Sequence, residues 1–147
     1  MRIMEADCVQ GAAAGDAGSQ FILGVISPWA KVLPVFGAIY FKGFVSTDTV
    51  KVGYLAFDIL SGNQLVTMPA VLDKFIGVTA ISADMPIGIG TGSGAIAVPF
   101  DFQDIIGDGL FNATGIVLAA TFGGTNAAGA IPIAAQVTSM IAYIDNK

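Results

Sequence analysis

Residues 49–60 read TVKVGYLAFDIL, and this stretch decides the fold class. Val50, Val52, Tyr54 and Ala56 alternate along it and share one face, and all four are apolar. Lys51 falls on the opposite face. Alternation with a period of two residues is typical of a β-strand that turns one face to a core. The turn-forming cluster at residues 61–63, Ser-Gly-Asn, then ends the predicted strand.

Further short apolar runs lie on both sides of this strand, and turn-forming residues separate them. They predict strands over residues 21–26, 35–45, 95–100, 115–122 and 131–144, with an edge or bent strand over 29–33 between two prolines. Residues 35–45 are apolar on both alternating faces, which indicates a strand covered on both sides. About seven or eight strands at regular spacing indicate an all-β sandwich of the jelly-roll type.

Two segments do not fit the strand pattern. Residues 71–81 are ambiguous between a short helix and an extended lid, because four side chains have helical spacing: Leu72, Phe75, Ile76 and Thr79. Residues 1–20 are rich in Gly and Ala and offer little to pack, so we expect a flexible N-terminal arm. Residues 21–147 are predicted to form a single β-sandwich domain, which suits the length of the chain.

The composition agrees with a protein that has few helices. Ten of the eleven acidic residues are Asp, which favours turns, and 19 Gly and 6 Pro act in the same direction. The net charge of −5 argues against a nucleic-acid partner, because such binding requires Lys or Arg to neutralise phosphates. The hydrophobic fraction of 54% fits either a membrane protein or a soluble domain that also buries a large interface.

Residues 110–144 carry no charge and provide the test of the membrane interpretation. A spanning helix needs about 20 mostly apolar residues. Gly, Asn, Pro and Gln interrupt this stretch, and no basic flank or aromatic belt frames it. Glu5 and Asp7 also lie where a secretion signal would be apolar. We therefore expect no membrane partner and favour a large protein interface.

The sequence offers little for catalysis. It contains no His, which excludes His-based acid–base chemistry and His-ligated metals. Cys8 is the single cysteine, lies in the predicted arm without an evident base, and is interpreted as an incidental thiol. We expect no catalytic, cofactor-binding or metal-binding residues and no enzymatic activity.

A glycine-rich motif, IGIGTGSG, invites a phosphate-binding interpretation. It contains Gly88, Gly90, Gly92 and Gly94. Such loops cradle phosphates when they lead into a helix N-terminus. Here a strand-like sequence follows and the Walker lysine is lacking, so we interpret the motif as a flexible or tightly turned loop.

An acidic motif, DFQDIIGDG, raises the possibility of calcium binding. It contains Asp101, Asp104 and Asp108, whose carboxylates are ligands that calcium prefers. Their spacing matches no EF-hand loop, and Asp-Gly at 108–109 is an ordinary turn signal. We expect solvated turn carboxylates and no dependence on calcium.

Aromatic residues supply the third candidate surface: ten Phe, three Tyr and Trp29. In the predicted strand over 35–45, Phe36, Tyr40 and Phe44 share one face. Exposed aromatics can form a carbohydrate platform, but the chain has few polar groups to accompany them. We expect these side chains in the core or at a subunit interface.

Three stretches carry a resemblance to a known group of proteins: WAKVLPVFGA at 29–38, TDTVKVG at 47–53 and LDKFI at 72–76. Together with the C-terminal apolar strand that ends near Tyr143, they are similar to small virion structural proteins of tailed bacteriophages. The resemblance covers about residues 20–145. It implies a β-sandwich on a capsid, tail or neck, with no catalytic residues.

From this resemblance we predict a capsid decoration or cement subunit that stabilises the major capsid lattice. Its expected partners are the major capsid protein or other virion proteins, and further copies of itself as a homo-oligomer. Its expected location is the virion, assembled in the host cytoplasm. A tail, neck or spike subunit is the alternative within the virion, and a glycan- or receptor-binding module is the alternative outside this class.

Overall fold

The computed structural model describes residues 1–45, 47–64, 70–81, 84–102, 114–124 and 130–145. Within these residues the chain forms ten strands: β1 Arg2–Val9, β2 Gln20–Ile26, β3 Ala30–Val32, β4 Ala38–Lys42, β5 Asp48–Asp58, β6 Val71–Ile81, β7 Met85–Gly88, β8 Phe100–Asp101, β9 Thr114–Gly124 and β10 Gln136–Asp145. A 3-10 turn, Pro34–Phe36, precedes β4. The predicted all-β class is therefore confirmed.

The strand pairing is nested along the sequence. β1 pairs with β10, β2 with β9, β3 with β8, β4 with β7 and β5 with β6, all antiparallel. The result is a long hairpin rolled into two sheets. The larger sheet has the order β7-β4-β10-β3-β8 with β1 on the other side of β10, and the smaller has the order β2-β9-β5-β6. This arrangement confirms the jelly-roll type of sandwich.

The core lies between the two sheets. The alternation in β5 is confirmed, since Val50, Val52, Tyr54 and Ala56 are all buried. Aromatic rings join the layers: the rings of Phe41 in the larger sheet and Phe122 in the smaller sheet are 6.3 Å apart at 79°. A second aromatic cluster fills the other part of the core and contains Tyr54, Phe75, Phe100 and Phe102.

The N-terminal segment differs from the prediction of a flexible arm over residues 1–20. Its residues 2–9 form β1, which pairs with β10 from Arg2↔Tyr143 to Val9↔Gln136. The inward side chains of β1, Met4, Ala6 and Cys8, are only half-buried, and two of them are small. Because the inward side chains of β1 bury little apolar surface, the alternation that would indicate a strand is weak in the sequence. β1 and β10 nevertheless form the outermost strand pair of the roll.

Residues 71–81 form β6, and the helical alternative is therefore wrong. The pairing with β5 shifts register between Val50 and Val52 and again between Val52 and Tyr54. Such β-bulges insert extra residues and break the alternation. Phe75 and Ile76 are consequently both buried although they are neighbours in sequence. This pair produced the spacing that resembles a helix.

Three other predicted strands are shorter than expected. Residues 35–45 do not form one strand: the 3-10 turn precedes β4, and Phe44 lies beyond β4 in the core. Of residues 95–100 only Phe100 belongs to a strand, β8. Ile131 makes an isolated bridge to Gly15, and β10 begins only at Gln136. Proline and glycine in these segments restrict regular pairing.

No helix in the described part of the chain has the length and apolar character needed to cross a membrane.

Candidate interaction surfaces

The glycine-rich motif forms a tight turn that packs against β6. Gly90, Gly92 and Gly94 have φ values of 93°, 93° and 83°, which favour glycine. The Gly90 N–H donates to the Phe75 carbonyl at 2.6 Å, and the Gly77 N–H donates to the Thr91 carbonyl at 2.9 Å. These bonds tie the loop to β6, in agreement with its interpretation as a tight turn.

Of the three carboxylates of the acidic motif, only Asp101 is among the described residues, since Asp104 and Asp108 lie outside them. The Asp101 carboxylate lies 3.3 Å from the Lys31 ammonium, across the β3–β8 pair. Among the described residues, no three His, Cys, Asp or Glu side chains lie close enough together to hold a metal ion.

Cys8 lies on the inward face of β1. Its thiol donates a long hydrogen bond to the Ile22 carbonyl, with the sulfur 3.6 Å from the oxygen. Burial raises the pKa of this thiol, and the negative charge of Asp7 raises it further. Cys8 is therefore mostly protonated near neutral pH, where a nucleophilic cysteine would need a thiolate.

The outer face of the larger sheet carries a groove of about 340 Å³, which we name the aromatic groove. Its lining residues are Val35, Phe36, Gly37, Ala38, Tyr40, Pro86, Thr138 and Met140. The side chains are unusually exposed for their type: Phe36 is 61% exposed, Met140 45% and Tyr40 43%. Exposed aromatic and methionine side chains that lie together are characteristic of protein-binding surfaces.

Local sequence explains why these side chains face outward. In β4 the alternation buries Ile39 and Phe41 and leaves Tyr40 on the outer face. The 3-10 turn then closes when the Gly37 N–H donates to the Pro34 carbonyl at 3.0 Å. A methyl group on Gly37 would lie 2.7 Å from Ile89. Glycine at this position therefore allows the turn to approach Ile89.

Charged side chains lie at the edges of the aromatic groove. Glu5 is the register partner of Met140 on β1, and Asp7 is the register partner of Thr138. On the far side of β10, Lys42 is the register partner of Gln136. An apolar centre with charged residues around it has the organisation of a protein interface.

Apolar side chains also lie on the outer face of the smaller sheet, and we name this surface the apolar face. It comprises Ile22, Val25, Leu55, Phe57 and Val117. Ile22 is 52% exposed and Val25 63%. Ile22, Leu55, Phe57 and Val117 line a shallow concavity of about 280 Å³. The Phe57 ring lies directly over Gly115, where any side chain would collide with it.

The sequence pattern indicates one of these surfaces in part and does not reveal the other. It grouped Phe36, Tyr40 and Phe44, and the structure leaves the first two in the aromatic groove but buries Phe44. It did not single out the apolar face, because Leu55 and Val117 have apolar side chains of the kind that fill a core. The available signal was Phe57 and Leu55 alternating with the buried Tyr54 and Ala56.

Comparison with known proteins gave matches only among solved structures. No family model matches the chain, and no curated protein matches it. The chain is similar to a structure of the infectious bursal disease virus Gx strain, with 12% identity and a TM-score of 0.49 over 100% of this chain and 33% of that one. It is also similar to the VP2 subviral particle of infectious bursal disease virus, with 12% identity and a TM-score of 0.46 over 97% of this chain and 33% of that one. The chain thus spans about a third of the length of these proteins.

Proposed function

We propose that this chain is a non-enzymatic structural subunit of a virion, acting as a capsid decoration or cement protein assembled in the host cytoplasm. The aromatic groove is the observation that carries this proposal, because it provides a ready contact surface for another virion protein, with the major capsid protein as the intended partner. The resemblance of residues 20–145 to small virion structural proteins of tailed bacteriophages supports the proposed class, a structural subunit of a virion.

The chemistry of the groove suits a protein partner. Energetically important interface residues are enriched in aromatic side chains that insert into a partner's pocket. Phe36 and Tyr40 are of this kind, and Met140 adds an adaptable thioether between them and the acidic edge. The groove is lined mainly by apolar side chains, so we expect contact through packing more than through hydrogen bonds.

Weak identical contacts gain strength from repetition on a lattice. Burial of apolar surface contributes about 25 cal/mol per Å². On a shell, oligomeric subunits that each engage several sites gain avidity without new contacts. The groove has few charged groups at its centre, so we expect binding to persist at moderate salt, where exposed ion pairs are screened.

The direct test uses shells assembled without this protein. Purified protein should bind them saturably at fixed stoichiometry and raise their resistance to heat. Phe36→Ala and Tyr40→Ala should each weaken binding about 10- to 30-fold, the effect of removing a hot-spot side chain. Val98→Ala is the matched control, because Val98 is 64% exposed and lies outside the groove.

Other outcomes would redirect the assignment. If the shells stay bare and the protein is found in the tail, neck or spike of the virion, the cement role fails and the alternative virion role replaces it. If the protein binds no particle and instead retains glycans on an array, the virion role itself is wrong.

A further inference from the structure

Five strands lie at the edges of the two sheets in the described part of the chain: β1, β7 and β8 in the larger sheet, and β2 and β6 in the smaller one. An edge strand exposes backbone N–H and C=O groups that can pair with another chain, unless a local feature prevents it. Four of these five strands carry such a feature, and β1 does not.

Both edges of the smaller sheet are irregular or occupied. The pairing of β2 with β9 shifts register between Ile22 and Gly24, and the Ile22 carbonyl accepts a hydrogen bond from the Cys8 thiol. On β6, the Phe75 carbonyl and the Gly77 N–H are bonded to the glycine-rich turn. A bulged strand and a strand whose edge is occupied are poor templates for a further strand.

Two edges of the larger sheet are short or interrupted. β8 is only two residues long. In β7, the bonding phase follows from the Ile89 N–H, which donates to the Gly37 carbonyl at 3.0 Å. Because hydrogen-bonded pairs alternate along an antiparallel ladder, Pro86 and Gly88 are the β7 residues that point to the free edge. Proline has no N–H to offer there, and the Gly88 carbonyl already accepts from the Thr91 N–H.

β1 is long and regular, and its outer edge is free. It has eight residues and pairs with β10 without a register shift. Just beyond it, the Gln10 N–H donates to the Ala135 carbonyl at 2.9 Å, so the even-numbered residues of β1 bond to β10. The odd-numbered residues turn their N–H and C=O groups away from β10: Ile3, Glu5, Asp7 and Val9. No other described residue forms a hydrogen bond with these backbone groups.

We infer that β1 accepts an extended segment of another protein as an additional antiparallel strand, with basic side chains opposite Glu5 and Asp7. Both carboxylates are exposed, and neither forms an ion pair with another described residue. Ile3 and Val9 flank them on the same face and are 52% and 61% exposed. Opposite charges directly across two strands stabilise the pair. The complementary segment therefore carries, at alternate positions, an apolar residue, two basic residues and a second apolar residue.

A second copy of this chain lacks that chemistry. Antiparallel pairing of two β1 strands in full register would place Glu5 of each copy opposite Asp7 of the other. Like charges directly across two strands are destabilising. The inferred partner is therefore a different protein.

The inward face of β1 also favours an added strand. Met4, Ala6 and Cys8 remain half-buried although they point between the sheets. The inward side chains of a neighbouring strand would lie beside them and remove more of their apolar surface from water. Space beneath β1 is limited, since the Met4 sulfur lies directly against Gly24 of β2. We therefore expect small inward residues in the added strand.

Amide hydrogen exchange measured by NMR tests the free edge, with the peptide acetyl-Val-Thr-Lys-Thr-Lys-Thr-Val-amide as the probe. In the unbound protein the amides of the odd-numbered β1 residues should exchange fast, and those of Met4, Ala6 and Cys8 slowly. Millimolar peptide should protect the odd-numbered amides. Protection of these amides without peptide, or no protection with it, overturns the inference.

Modified peptides separate strand pairing from simple charge attraction. In the inferred complex the lysine amides of the peptide bond to β1, whereas its threonine amides point away. N-methylation of the two lysine amides should abolish binding, and N-methylation of two threonine amides should preserve it. Equal affinity of the two N-methylated peptides would show that no strand is added.

A charge exchange tests the basic specificity. The double variant Glu5→Lys with Asp7→Lys should bind the lysine peptide about 10-fold more weakly, and should prefer the same peptide with glutamate in place of lysine. An unchanged preference for lysine contradicts the inferred partner. Phe36→Ala is the control in the aromatic groove and should bind the lysine peptide as the wild type does. Failure of the shell-binding experiment would therefore leave this inference standing, and the reverse also holds.

Discussion

Gly92 lies directly against Gly77, and a methyl group on Gly92 would come within 2.9 Å of the Gly77 α-carbon. Gly77 is in the middle of β6, and Gly92 is in the turn after β7. The glycines of the IGIGTGSG motif thus allow two backbones to touch. This contact accounts for the motif without a bound phosphate.

Alanine substitutions in this motif should distinguish the stability lost through a backbone collision from the stability lost through a left-handed φ. Gly92→Ala combines a left-handed φ with a backbone collision and should lower the free energy of unfolding by about 3 kcal/mol. Gly94→Ala has the same φ requirement but its nearest contact is 3.8 Å away, so about 1–2 kcal/mol is expected. Gly88→Ala should change stability by less than about 0.5 kcal/mol. Urea unfolding measures all three, and equal losses for Gly92→Ala and Gly94→Ala would remove the contact from the explanation.

Ser139→Ala should stabilise the protein. Ser139 is fully buried in β10, between Ala6 and Ile39 of the adjacent strands, and its hydroxyl has no hydrogen-bond partner among the described residues. An unsatisfied buried hydroxyl costs about 1–3 kcal/mol, so its removal should raise the free energy of unfolding by about 1 kcal/mol. Thr138→Ala, at the exposed neighbouring position, should give no such gain. A lower unfolding midpoint for Ser139→Ala would mean that the hydroxyl has a partner.

Ala134→Gly should also stabilise the protein, against the usual effect of glycine. Ala134 has a φ of 60° in the turn that the Ala135 N–H closes on the Pro132 carbonyl at 3.0 Å. For a residue with a Cβ this conformation costs about 1 kcal/mol, which glycine avoids. Ala80→Gly, in extended β6, should instead destabilise by about 0.5–1 kcal/mol. Thermal unfolding of the two variants should therefore shift in opposite directions.

Cys8 should react slowly with thiol reagents in the folded protein. Burial and the Asp7 carboxylate both raise the pKa of the thiol, which lowers the thiolate fraction near neutral pH. The reaction rate with a disulfide reagent should rise when the chain is unfolded in denaturant. Asp7→Asn removes the smaller cause and should raise the rate of the folded protein modestly. A native rate equal to the denatured rate would show that β1 does not shield the thiol.

The parts of the fold that sequence predicts best are strands with one buried face. In β5 the alternation of Val50, Val52 and Tyr54 is uninterrupted on the side that faces the core, and its prediction is confirmed. β6 was ambiguous because its bulges depend on how it meets β5, and pairing geometry is not local information. The position of β1 was missed because a strand with small, half-buried side chains depends on its partner for stability.

The interaction surfaces are less predictable than the strands. An exposed Tyr40 and a buried Phe44 are equally apolar in sequence, and only the end of β4 between them decides which one enters the core. For the apolar face, Leu55 and Val117 carry the same kind of apolar side chain as the core residues beside them, so the sequence does not show that they lie on the outer face. Composition indicated an excess of apolar side chains but not where they lie.

The nested pairing of the rolled hairpin has a kinetic consequence. Arg2 and Tyr143 are far apart in sequence, and joining them directly would require a very large loop to close. If β5 and β6 pair first, each further pair closes only a short additional loop, so the roll can assemble outward from the β5–β6 connection. Substitutions near Asp58 should then slow folding, whereas substitutions in the β1–β10 pair should mainly speed unfolding.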